Sequence, residues 1–170
     1  MSQLSGKPKK FEYLEHPADI GVRVYGKTLN LLFKNAALAL YDVFEPSIDN
    51  YSKRYKRKIV LISGTIGDLL ISFLNEILFL CVKSHLIFEK FFINISHSND
   101  ENKLECEMIG RKISAINREV KAATYHNAKV QRVDGYLYID IIFDINASMT
   151  LPFVSAQIID FQLFSSLALD

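Results

Sequence analysis

Asp19 and Asp144 are the residues of this sequence whose surroundings most call for chemistry. Asp19 follows the break at His16-Pro17 and opens a strand pattern. Asp144 closes a run in which Ile139, Ile141, Ile142 and Phe143 are apolar. A carboxylate at the end of an apolar strand needs solvent, a cation or a hydrogen-bond donor, because burying it bare is costly. Two such groups brought together repel unless a cation lies between them, and hard cations such as Ca²⁺ prefer carboxylate and carbonyl oxygen. Equally, each aspartate could be a solvated strand end, or Arg23 could neutralise Asp19. The residues alone leave these readings open.

Other groups carry weaker signals. His16 lies three residues before Asp19, and His126 comes later, which invites a zinc reading. Zinc sites need three or four ligands at recognisable spacing, and Cys81 and Cys106 sit in apolar stretches, so histidines hydrogen-bonded at strand ends are the simpler account. Lys53-Arg54-Tyr55-Lys56-Arg57-Lys58 puts five of the twenty basic residues into six positions. Such a run with an interleaved tyrosine can meet phosphates. It reads first as a solvated edge strand, whose lysines discourage edge-to-edge pairing. The chain has no GxxxxGK[ST] or GxGxxG loop, no GxSxG elbow, no CxxC pair and no EF-hand loop, which counts against a nucleotide-using enzyme or a thiol oxidoreductase.

The elements that must position these groups follow from periodicity. Phe11 to Leu14 reads as a short strand, and Ile20, Val22 and Val24 alternate with polar or small residues in a half-buried strand ending at Gly26. Asp19 shares the parity of Arg23 and so points away from the apolar face. Thr28 is the N-cap of an amphipathic helix from Leu29 to Phe44, with Pro46 just beyond its end. A strand through Ile59 and Leu61 breaks at Ser63-Gly64, and a second helix runs from about Ile66 through Cys81, with Asp68 near its positive end. Strands follow over Ile87 to Ser96, Leu104 to Ile113 and Glu119 to Tyr125. Asp134-Gly135 between Ala128–Val133 and Tyr136–Ile145 signals a two-residue hairpin. This order predicts an α+β fold, two amphipathic helices packed on a largely antiparallel β-sheet.

Composition sets the frame. A chain of 170 residues with 49% apolar residues can build one core, and 20 Lys plus Arg against 19 Asp plus Glu gives no global attraction to nucleic acid or acidic lipid. Two cysteines make no disulfide framework and read as reduced core residues of a cytoplasmic protein. Residues 1–10 lack the apolar run of a signal peptide and read as a loose arm. No apolar run approaches the roughly 20 residues that span a membrane.

Two segments resemble a known family. His16-Pro17-Ala18-Asp19-Ile20-Gly21, continuing through Gly26 to Leu29, resembles the opening signature of the archease family, usually H-T-A-D-I-G before a strand, a glycine and the first helix. Glu119 to His126, followed by Phe143-Asp144-Ile145, resembles its closing signature, and Asp68-Leu69-Leu70 with Asn75-Glu76-Ile77-Leu78 matches its usual second helix. The resemblance covers about residues 11–145. It implies a protein cofactor, not an enzyme, that activates the RtcB-type RNA ligase of tRNA splicing and RNA repair. The ligase works through a histidine–GMP intermediate, and the activator promotes guanylation and multiple turnover, meeting tRNA only through the ligase. It further implies a divalent metal, typically Ca²⁺, bound by Asp19, Asp144 and Ile145. His16, Lys121 and His126 are further candidates, Lys121 for a contact to phosphate or to the ligase.

The sequence departs from that pattern at Pro17, where threonine is usual, at Leu31, where an acid is common, and after Ile145. The last 25 residues contain Asp160 and the terminal Asp170 and no base. Leu151, Val154, Ile158, Phe161 and Ala168 roughly keep helical spacing, so residues 152–169 read as a helix packed on the domain, or equally as a poorly ordered extension or one that covers the metal tip. Family members usually stop near Ile145, where a terminal carboxylate can join the metal ligands; here Ile145 offers a peptide carbonyl. The rival reading is a metal-dependent hydrolase using His16, Asp19, His126 and Asp144 with a cation-activated water.

Overall fold

The computed structural model describes residues 9–125 and 129–145. The expected C-terminal helix, His126 and most of the N-terminal arm lie outside the described residues. In chain order the elements are β1 (Phe11–Leu14), β2 (Ile20–Gly26), α1 (Leu29–Phe44), β3 (Pro46–Ile48), β4 (Tyr55–Ser63), α2 (Ile66–Ser84), β5 (Leu86–Ser98), β6 (Glu101–Ile116), β7 (Val120–Thr124), β8 (Gln131–Val133) and β9 (Tyr136–Ile145).

Both helices start where a threonine hydroxyl can take an orphan amide. Thr28 Oγ1 accepts from the Leu31 N–H at 3.2 Å, and Thr65 Oγ1 accepts from the Asp68 N–H at 3.1 Å. Each ends on a residue in the left-handed region, Glu45 (φ 49°) before Pro46 and His85 (φ 53°). The Asp134-Gly135 hairpin forms as its sequence signals, with φ of 45° and 80°, and Asn99-Asp100 makes the same kind of turn with φ of 50° and 60°.

The strands form two antiparallel sheets, where one was expected. In the first the order is β1-β2-β9-β7, with β8 also on β9; in the second, β6 pairs with β3, β4 and β5. Alternation identifies strands but does not name their partners. The 16-residue β6 is long enough to serve β3, β4 and β5 by itself, so the second sheet closes on it and never reaches β9. The three-residue β3, whose partner is the end of β6, gave no alternation to detect. Among the described residues β4 pairs only with β6, so the basic run does lie on an edge strand.

The helices are packed between the two sheets' apolar faces. α1 touches β2 and β9 of the first sheet and β5 of the second, and α2 touches β4, β5 and β6 as well as β7. That double contact explains why α1 is buried around most of its circumference, including Asn35, whose Nδ2 donates to the Tyr25 carbonyl at 2.7 Å. Gly26 permits the close approach of β2 to α1: a Cβ there would lie 2.4 Å from the Leu32 nitrogen. The core facing the site consists of Val22, Val24, Ile139, Ile141 and Phe143, all fully buried. Cys81 and Cys106 are buried free thiols, and burial pushes both up to about 12, which keeps them protonated and unreactive.

Candidate metal centre

β2 and β9 pair Gly26 with Leu137 at one end and Ile20 with Phe143 at the other. Asp19 immediately precedes Ile20, in the bend that leads into β2, and Asp144 immediately follows Phe143 in β9. The two carboxylates singled out from their sequence surroundings, 125 positions apart, thus belong to the same end of the same strand pair. Ile20, Val22, Val24 and their partners Phe143, Ile141 and Ile139 face the core. Arg23 and Asp140, then Tyr25 and Tyr138, face outward, and the alternation puts Asp144 on that outward side. Both aspartates are half-buried.

Arg23 does not neutralise Asp19. Its guanidinium grips Asp140, the cross-strand partner, with Nε to Oδ1 at 2.6 Å and Nη2 to Oδ2 at 2.7 Å, and lies over the Tyr138 ring at 4.9 Å. The fork geometry and the register explain the choice: Asp140 is directly opposite, whereas Asp19 is four residues along the chain. Tyr25 continues the polar row by donating its hydroxyl to Glu12 at 2.6 Å. Burial and the Glu12 carboxylate push the Tyr25 phenol up to about 12, so it stays a donor.

His16 shapes the approach to Asp19. The Asp19 N–H donates to His16 Nδ1 at 3.3 Å, and Nδ1 is 3.9 Å from Asp19 Oδ2. The hydrogen bond closes the turn that carries Asp19. His16, Glu15, Gly21, Asp140 and Ile142 line a hollow of about 190 Å³ on the same face.

The third strand of the tip is β7. Val120 pairs with Ile145 and Ala122 with Asp144, and the register shifts between them, so Lys121 is the bulged residue, exposed beside the Asp144–Ile145 end of β9. β7 is held from its other side by α2. Asn75 donates to the Ala123 carbonyl at 3.1 Å and accepts from the Ala123 N–H at 2.9 Å, and Tyr125 donates its hydroxyl to Asp68. Asn75 and Asp68 were legible in the sequence only as part of the second-helix pattern. No spacing rule announces a side-chain amide that pairs with an edge strand.

The donor set suits a hard cation. Two carboxylates and the Ile145 carbonyl are oxygen ligands of the kind Ca²⁺ takes, with main-chain groups and solvent able to complete a shell. The described residues contain no cluster of three or more His, Cys, Asp and Glu side chains, so the zinc pattern has no site among them.

Comparison with known proteins gives the family. The model of the Archease protein family (MTH1598/TM1083) matches residues 11–145. The chain belongs to the archease family. It is 32% identical over 141 residues to the protein archease of Sulfurisphaera tokodaii, covering 81% of this chain and 99% of that one. It is 34% identical over 142 residues to that of Pyrococcus furiosus, with the same two coverages. Among solved structures, that of Methanobacterium thermoautotrophicum protein 1598 matches with a TM-score of 0.66 at 29% identity, over 79% of this chain and 98% of that one. An archease from Thermotoga maritima, described as a possible chaperone, matches with a TM-score of 0.55 at 24% identity, over 84% and 99% of the two chains, and supports the fold. The archease match ends at Ile145, where β9 ends and the family pattern was expected to stop.

Proposed function

We propose that this archease family member is a protein activator of an RtcB-type RNA ligase in tRNA splicing and RNA repair. It promotes guanylation and multiple turnover of the ligase in the cytoplasm and catalyses no reaction itself. The observation that carries the reading is the register of β2 against β9, which pairs Ile20 with Phe143 and so brings the neighbouring Asp19 and Asp144 to the same end of one strand pair. Asp19, Asp144 and the Ile145 carbonyl would hold a divalent cation, Ca²⁺ by the chemistry of the donors, which supplies positive charge between two carboxylates that would otherwise repel. His16 fixes the turn carrying Asp19, and the β7 bulge presents Lys121 beside Asp144 for a phosphate or a ligase carboxylate.

Activation then requires only that the tip bind the guanylation-competent state of the ligase more tightly than its other states. The test is ligase guanylation measured with the wild-type chain, Asp19→Ala and Asp144→Ala. Both variants are expected to lose stimulation while their circular dichroism and melting stay close to wild type, because neither side chain faces the core. Full stimulation by Asp144→Ala would overturn the proposal.

A further inference from the structure

The charge of this molecule is near balance as a whole but is unevenly placed. Residues 46–64 and 85–118, which make up the second sheet and its connections, carry ten Lys and Arg against six Asp and Glu; the rest of the described chain carries nine against eleven. The excess gathers where β4 begins. Lys53 Nζ lies 5.5 Å and Lys112 Nζ 5.9 Å from the centre of the Tyr55 ring, so two ammonium groups gather at one aromatic ring. Among the described residues neither forms an ion pair, and Arg57 spends a donor on the neighbouring Lys56 carbonyl. Nearby, Lys56 pairs with Glu107, while Arg54 and Arg111 share the single carboxylate of Glu89, which leaves further positive charge.

Beside this cluster stands Tyr51, which is 100% exposed. Its loop is built in place: the Asp49 N–H donates to the Lys112 carbonyl at 3.0 Å, the Lys112 N–H donates to Ser52 Oγ at 3.0 Å, and the Tyr51 N–H donates to Asp49 Oδ1 at 2.9 Å. A tyrosine held fully in water on a pinned loop gains nothing from folding. Asp49 spends its carboxylate on the Tyr51 N–H, and among the described residues Lys53 and Lys112 form no ion pair, so an anion that joins them relieves their repulsion.

We propose that Tyr51, Lys53, Tyr55, Arg57 and Lys112 form a binding surface for single-stranded nucleic acid. The cations, gathered around the Tyr55 ring, meet successive phosphates, and the exposed Tyr51 ring stacks on a base. A single strand fits better than an acidic peptide because the surface interleaves rings with cations, and every base has a stacking face while acidic side chains have none. The surface shares no residue with the Asp19–Asp144 tip, so it stands or falls apart from the ligase reading.

The test is fluorescence anisotropy of a labelled single-stranded RNA 12-mer titrated with the full chain between 50 and 200 mM salt. With three phosphates neutralised, the logarithm of the binding constant should fall against the logarithm of salt with a slope of about −2. The Lys53→Ser, Arg57→Ser, Lys112→Ser triple variant should remove nearly all of that slope and weaken binding at least about tenfold at the lower salt. Tyr51→Ala, at a fully exposed position that folding does not need, should weaken binding roughly fivefold while leaving the slope unchanged. Three outcomes would overturn the proposal: no binding at 50 mM salt, binding untouched by both variants, or displacement of the RNA by poly-glutamate as effectively as by unlabelled RNA.

Discussion

Asp68 has two donors aimed at its carboxylate, the hydroxyls of Thr65 and Tyr125, and together they hold it below its ordinary value of 3.8. A depressed folded-state value stabilises the fold above the unfolded value, and that contribution is lost as pH falls through the folded one. The urea midpoint of wild type minus that of Asp68→Asn should therefore be positive at pH 7 and shrink below about pH 3.8; a difference that stays constant with pH would refute this linkage. Tyr41 gives the opposite sign. Its buried hydroxyl accepts from the Phe88 N–H at 3.0 Å, and burial holds its value well above 10. The stability it lends is complete below pH 10 and declines as pH rises beyond it. Tyr41→Phe should cost about 1–3 kcal/mol at pH 7 by orphaning the Phe88 amide, and should unfold less steeply than wild type above pH 10. Denaturant titrations at pH 7 and pH 10.5 check both. At this scale the sequence singles out Asp19 and Asp144, because a charged group ending an apolar run is conspicuous. It did not show that Arg23 prefers Asp140 over Asp19, since that choice depends on cross-strand pairing.

At the scale of elements, β7 matters most to the tip because it is an edge strand whose register fixes Lys121 beside Asp144. The Asn75 amide satisfies both the N–H and the carbonyl of Ala123, doing for one residue what a further strand would do. Asn75→Leu should cost about 1–3 kcal/mol and speed hydrogen exchange at the Ala123 amide, with exchange in β2 changed only as far as global stability changes. An unaltered Ala123 amide would show that β9 alone holds β7. Both helices and the Asp134-Gly135 hairpin were legible from periodicity, threonine caps and turn residues, because those signals are local. The division into two sheets was not, because it is decided by which strands find partners across the helices. The second sheet also depends on a position that periodicity does not mark. A Cβ at Gly110 would lie 1.8 Å from the Ile87 carbonyl oxygen at the β5 bulge, so Gly110→Ala should displace that bulge or prevent folding.

At the scale of the whole molecule, the negative tip of the first sheet and the positive edge of the second divide a chain whose net charge is only +1. Such a small total says little about partners in either direction, since association responds to the local field and not to the sum. The family match ends at Ile145 while the chain continues for 25 residues, which leaves a neutral carbonyl where a chain ending there would present a carboxylate. The charge count of its oxygen ligands is a main determinant of a site's Ca²⁺ affinity. A chain ending at Ile145 would offer a third carboxylate in place of the carbonyl, with Asp19 and Asp144 unchanged. It should bind Ca²⁺ about tenfold more tightly or better, read by sensitised terbium luminescence with Ca²⁺ competition, and Asp144→Ala should abolish the gain. If instead the shortened chain binds Ca²⁺ more weakly than the full one, residues 146–170 supply ligands or shelter that the tip lacks. The metal centre would then include the extension and not end with β9.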